Sequence, residues 1–146
     1  MKKDKIKLII GMALLATCSI VFAADDTNLK FGTIKNPEYT GPTIGCTYFF
    51  KQGGKIAVAP GEPLQNDKVY DAFNINGKDV LLLNLLSAQK QTEKLSGKYI
   101  YQGYKLTLTH VKTISSSEGS ATTKANLRIE KNGKIRNVPL IAECGD

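Results

Sequence analysis

Two Asn-Gly pairs, Asn76-Gly77 and Asn132-Gly133, each stand between runs rich in β-branched and aromatic residues. Asn-Gly is the preferred pair for a two-residue type I′ hairpin, because both central residues must adopt positive φ. Each pair therefore ties the strand before it, antiparallel, to the strand after it. Gln102-Gly103, between Tyr101 and Tyr104, is a weaker third. From Cys46 onward the strand-like runs are 46–50, 55–59, 69–75, 78–86, 98–101, 104–114, 123–130 and 134–144. The expectation is one all-β domain, a small antiparallel sandwich or barrel of about eight strands. Residues 115–120, Ser-Ser-Ser-Glu-Gly-Ser, include no apolar side chain and read as a mobile hairpin loop.

Alternation indicates which faces are buried. Cys46, Tyr48 and Phe50 share one face of the first run. Val138, Leu140, Ala142 and Cys144 share one face of the last, which Lys134 and Arg136 continue toward the hairpin. Leu127 and Ile129 point opposite to Asn126, Arg128 and Glu130. Pro139 has no N–H to give a ladder, so it calls for an edge position or a bulge. The stretch 80–86 is apolar on both parities; a strand is favoured over a helical turn because Asn76-Gly77 sets up a hairpin directly before it.

The first 23 residues read as a signal peptide. Lys2, Lys3, Lys5 and Lys7 precede an apolar run over 8–22, and Val21-Phe22-Ala23 offers small residues at a cleavage site. The run is too short for a comfortable transmembrane helix. Cys18, after Leu15-Ala16-Thr17, is the alternative as a lipidation site. The expected organisation is a signal peptide over 1–23, an extended arm over 24–45 with at most one edge strand, and a β domain over 46–146, with a periplasmic or secreted location. Cleavage removes four Lys and one Asp from the total of 20 basic and 13 acidic residues, leaving a net of +4. That is mild basicity, so nucleic acid is not an expected partner. The remaining cysteines, Cys46 and Cys144, read as a disulfide in an oxidising compartment, worth roughly 4.7 kcal/mol in the chain-entropy picture.

Few residues offer chemistry. His110, the only histidine, shares a face with Leu106 and Leu108 and reads as a hydrogen-bonded structural residue rather than a triad member. Glu62, Asp67, Asp71 and Asp79 could supply two carboxylates for hydrolysis, which would need a pair roughly 5 to 9.5 Å apart. There is no Gly-rich phosphate loop, His-x-x-x-His, Cys-x-x-Cys or acidic calcium loop, so no cofactor and no metal are expected. In the segment 98–105, basic residues interleave with Tyr99, Tyr101 and Tyr104, which leaves two readings open: an exposed binding strip or cross-strand packing.

The segment Asn74-Ile75-Asn76-Gly77-Lys78-Asp79-Val80, continued through Tyr101-Gln102-Gly103-Tyr104 and ending at Ala142-Glu143-Cys144-Gly145, resembles a family of small, secreted, functionally uncharacterised bacterial β proteins. Ala72 stands where that family has a tryptophan, and single cysteines stand where it has doubled ones. The resemblance implies kinship without an activity. Ser96-Gly97-Lys98-Tyr99-Ile100-Tyr101 is faintly similar to the Ser-Gly-x-x-Tyr motif of periplasmic lysozyme inhibitors, which also join an early strand to the last by a disulfide. The tyrosines here lie three and five positions after the serine, against four in that family. The expected function is therefore an exported, non-catalytic module that binds a protein or cell-envelope partner through Ser96, Tyr99, Tyr101 and Tyr104. The alternatives are a lysozyme-inhibitor-like or immunity protein and a carboxylate-dependent hydrolase.

Overall fold

The computed structural model describes residues 28–39, 45–61, 68–86, 92 and 94–145. The expected signal peptide, Cys18, Glu62 and Asp67 lie outside the described residues. Nine strands form one antiparallel sheet: β1 Phe31–Gly32, β2 Gly45–Phe50, β3 Ile56–Pro60, β4 Tyr70–Ile75, β5 Lys78–Leu83, β6 Leu95–Tyr101, β7 Tyr104–Ser117, β8 Ser120–Lys131 and β9 Lys134–Gly145. Among the described residues a single 3-10 turn, Pro37–Tyr39, lies between the first two. Among the described residues no helix is long and apolar enough to cross a membrane.

The hairpins follow from turn chemistry. Asn76 and Gly77 have φ of 52° and 87°, and Asn132 and Gly133 have 52° and 78°. Gln102 adopts the same conformation at 48°, followed by Gly103 at 82°. These tight turns fix the β4–β5, β8–β9 and β6–β7 registers. The order β1-β4-β3-β2-β9-β8-β7-β6, with β5 on the other side of β4, curls into a barrel-like shell. Its two ends meet where Leu85 N donates to Lys98 O at 2.8 Å and Lys98 N donates to Asn84 Oδ1 at 3.2 Å.

Alternation fills the inside of the shell. Tyr48, Phe73, Ile75, Tyr99, Leu106, Leu108, Leu127, Ile129 and Leu140 are buried there. Each such side chain contributes roughly 1.5–3 kcal/mol through removal from water. Phe73 and Tyr99 meet edge to face across the interior, ring centres 4.8 Å apart. A smaller cluster, Ile34, Ala59 and Ala72, lies on the opposite face of β3 and β4. The arm covers it, held by Ile34 N to Ile56 O and by Asn76 N to Lys30 O. Cys46 and Cys144 are register partners at the β2–β9 junction and are joined as a disulfide.

The arm supplies the edge strand that the sequence reading allowed, the two-residue β1, paired with the end of β4. Two details differ from that reading. The polar stretch 115–120 is not a loop: β7 and β8 pair through Ser115↔Thr122, Ser116↔Ala121 and Ser117↔Ser120, which leaves Glu118-Gly119 as the turn. A ladder is made by backbone groups, and β8 here is also paired with the end of β9, so the stretch needs no apolar side chain to be strand. The run 78–86 stops being strand after Leu83, where Asn84 turns inward and is buried. Pro139 lies just beyond Leu140, the last β9 residue that β2 pairs, so it stands where that side of the ladder has ended.

Candidate polar cavity at the barrel mouth

In an up-and-down sheet, the starts of β2, β4, β6 and β8 share one rim with the ends of β3, β5, β7 and β9. The tight turns after Ile75, Tyr101 and Lys131 lie at the opposite rim, and the long connections from β3 to β4 and from β5 to β6 lie at the first. Connections of this kind, carried on a rigid shell, are where binding groups concentrate. At this mouth the interior changes from apolar to polar. A half-enclosed cavity of about 190 Å³ is lined by Gly45, Cys46, Tyr48, Pro60, Val69, Asp71, Asn84, Ser96 and Tyr99. A broader depression at the far end of β2 is lined by Phe50, Lys51, Gln52, Val138 and Pro139, with no carboxylate, hydroxyl or imidazole.

The polar groups of the mouth form a connected set. Tyr99 Oη donates to Asp71 Oδ2, and Asn84 Nδ2 donates to the same oxygen at 3.4 Å. Asn84 also donates to Ser96 O at 3.2 Å. Tyr48 Oη shares hydrogen bonds with Ser96 Oγ at 2.5 Å and with His110 Nε2 at 2.8 Å. Burial pushes the Asp71 carboxyl above its ordinary range, against the lowering effect of its Tyr99 and Asn84 hydrogen bonds. Burial likewise raises Tyr99, with the Asp71 charge adding to it, and raises Tyr48. Both phenols stay protonated and act as fixed hydrogen-bonding groups.

Gly97 makes the Tyr99 placement possible. On a strand, residues two apart share a face, and Tyr99 lies back along β6 over Gly97. A Cβ at Gly97 would collide with the Tyr99 hydroxyl oxygen. The Gly-x-Tyr spacing was the one local signal that this tyrosine folds toward the mouth.

The residues singled out in the sequence distribute as follows. Ser96 and Tyr99 line the cavity, but Tyr99 is 2% exposed, its ring in the core and only its hydroxyl directed at Asp71. Tyr101 and Tyr104 sit at the closed rim, paired with each other and half-buried, with the Lys131 ammonium 4.4 Å from the Tyr104 ring centre. The four residues thus form no single exposed strip. The outward face of β6 carries Lys98 and Ile100 instead. Of the four acids considered for hydrolysis, Asp71 faces the cavity. Asp79 accepts hydrogen bonds from Asn74 Nδ2 and from Lys35 N and Asn36 N. Asn74 has the opposite parity to Asp71 on β4, so these two carboxylates lie on opposite faces of the sheet and form no catalytic pair.

Sequence reasoning missed Tyr48 and Asn84, because only the closed shell brings residues 48, 71, 84, 96 and 110 together. Ligand atoms of Cys46, Cys144 and His110 lie within 4.8 Å of one another. The two sulfurs are bonded to each other, whereas a metal requires thiolates. Compared with protein-family models, curated proteins and solved structures, the chain matches none.

Proposed function

We propose that the chain is an exported, non-catalytic binding module that engages a protein or cell-envelope partner at the polar mouth of the barrel. The supporting observation is the cavity itself, with its size and its fixed polar lining. At about 190 Å³ it lies below the roughly 300–1,000 Å³ of cavities that enclose a whole small molecule. It suits one protruding group presented by a larger partner. Two features of the lining support recognition. The two phenols are moved away from the pKa a general base needs. Asp71, itself raised by burial, has no second carboxyl group beside it among the described lining residues. Export fits the disulfide, which persists in oxidising compartments.

The test is capture of partners from envelope extract by the oxidised protein, beside a Ser96→Trp variant whose indole fills the mouth and whose folding is checked by circular dichroism. A partner retained by the unaltered protein and lost by the folded variant is the expected result. Retention by both moves the binding surface elsewhere.

A second reading, a lysozyme-inhibitor-like protein, draws on the disulfide between an early strand and the last, and on Ser96 at the rim. Against it, Tyr99 is in the core. Undiminished lysozyme turnover in the presence of excess protein would remove that reading.

A further inference from the structure

We infer that the group the mouth receives is cationic: the ammonium or guanidinium of a Lys or Arg side chain presented by a protein partner, with Asp71 as its counter-charge. The inference rests on the mouth being the binding surface and specifies its occupant.

The argument begins with charge. Among the described residues lining the cavity, Asp71 carries the only carboxyl group, and none is a Lys, Arg or His. Its hydrogen-bond partners Tyr99 and Asn84 are neutral donors that satisfy part of its hydrogen-bonding capacity and none of its charge. A carboxylate withdrawn from water without a cation is costly to the fold, and a cation entering the same space offsets that cost. An anionic group would meet like charge there. A neutral apolar group would displace water from Asp71 and give nothing in return.

Geometry agrees with charge. An ammonium has three donors to place and a guanidinium five, all in need of acceptors. Asp71, Ser96 and Tyr48 all line the cavity and bring oxygen acceptors to it, with Tyr48 Oη and Ser96 Oγ in hydrogen-bond contact. Tyr48 and Tyr99 contribute aromatic surface, which attracts a cation at about 0.5–2 kcal/mol depending on exposure. The apolar stem of a Lys or Arg would pass Val69 and Pro60 on the way in. The net charge of +4 left once residues 1–23 are removed makes this acid pocket a local exception. Lys68, Lys94 and Lys98, near the rim in sequence, are exposed and point their charge to water.

The test is an NMR titration of the oxidised, isotope-labelled protein with N-acetyl-lysinamide and N-acetyl-argininamide. N-acetyl-norleucinamide serves as the neutral probe and N-acetyl-glutamate as the anionic one. The expected result is that both cationic probes shift the amide signals of Asp71, Asn84 and Ser96 while the other two do not. Asp71→Asn should weaken the cationic probes by about tenfold or more, as loss of a charge-assisted hydrogen bond implies. Equal shifts from norleucinamide and lysinamide in the unaltered protein overturn the cation, and so does failure of every probe. The comparison of probes needs no variant, so misfolding cannot blur it. Partner capture separates the two conclusions. A partner lost by Ser96→Trp but kept undiminished by Asp71→Asn leaves the mouth as the binding surface and removes the cation.

Discussion

Asp71 and Asp79 lie on the two strands of one hairpin, and each accepts a hydrogen bond from an asparagine side chain. Their fates differ. Burial acts to raise Asp79, but bonds from Asn74, from the N–H groups of Asn36 and Lys35, and the Lys35 charge outweigh it and hold the carboxyl below its ordinary range. It clamps the arm to the outside of the sheet. Asp71 faces inward, receives only neutral side-chain donors and is raised. The contrast separates two uses of one residue type. A carboxylate held by backbone donors is a fastener, whereas one bonded only by neutral side chains beside a cavity is the basis of the cation site we propose.

The comparison can be attacked at its strongest point first. Tyr99→Ala removes both the Asp71 donor and a core ring and is expected to cost about 3–5 kcal/mol by urea unfolding. Tyr99→Phe keeps the ring and should cost only about 1–3 kcal/mol, the penalty of leaving Asp71 one donor short. Equal losses in the two variants would show that the hydroxyl, not the ring, dominates.

Asp79→Ala is next, at about 1–2 kcal/mol, because exposure screens part of the interaction. Its signature should be proteolytic cleavage within 28–39 while the barrel survives. Resistance of the arm in that variant would deny the clamp.

The smallest effect has the opposite sign. Asp71→Asn should stabilise the protein at neutral pH by no more than about 1 kcal/mol, since it removes a buried charge and keeps the shape. The pH dependences must then oppose each other. Asp71, raised on folding, holds its proton longer in the native state, so its contribution to stability falls as pH rises from the ordinary carboxylate value through the raised one. Asp79, lowered on folding, contributes stability above the ordinary value and loses it as pH falls through the lowered one. Tyr48, Tyr99 and Asn84 surround Asp71, and none of them changes charge in that range. Urea midpoints of the two variants from pH 3 to 8, relative to the unaltered protein, should therefore diverge with rising pH.

Local chemistry made the shell legible in the sequence. Positive φ at Asn76 and Asn132 is a property of the Asn-Gly pair, and strand parity placed Cys46 and Cys144 on facing sides. The serine-rich end of the β7–β8 ribbon was not legible, because hydrophobic alternation detects burial and the β7 side chains from Val111 to Ser117 are exposed. The mouth was legible only in fragments. Ser96 and Asp71 stood among the candidates, for a surface strip and for a hydrolytic pair respectively. Their true neighbours come from 48, 84, 99 and 110 by closure of the sheet. Tyr48 meets His110 across 62 positions. No periodicity within a single strand encodes such a meeting.

The Cys46–Cys144 bond also has a mechanical meaning. The residues it joins are already opposite each other in the β2–β9 ladder, with 98 positions of chain between them. Nearly the whole shell, including every side chain of the mouth, therefore lies inside one covalent loop. Tension applied to the chain outside that loop passes directly from sulfur to sulfur. It can peel away the arm, held by Asp79 and a few backbone bonds, but it cannot draw out any strand from β3 to β8.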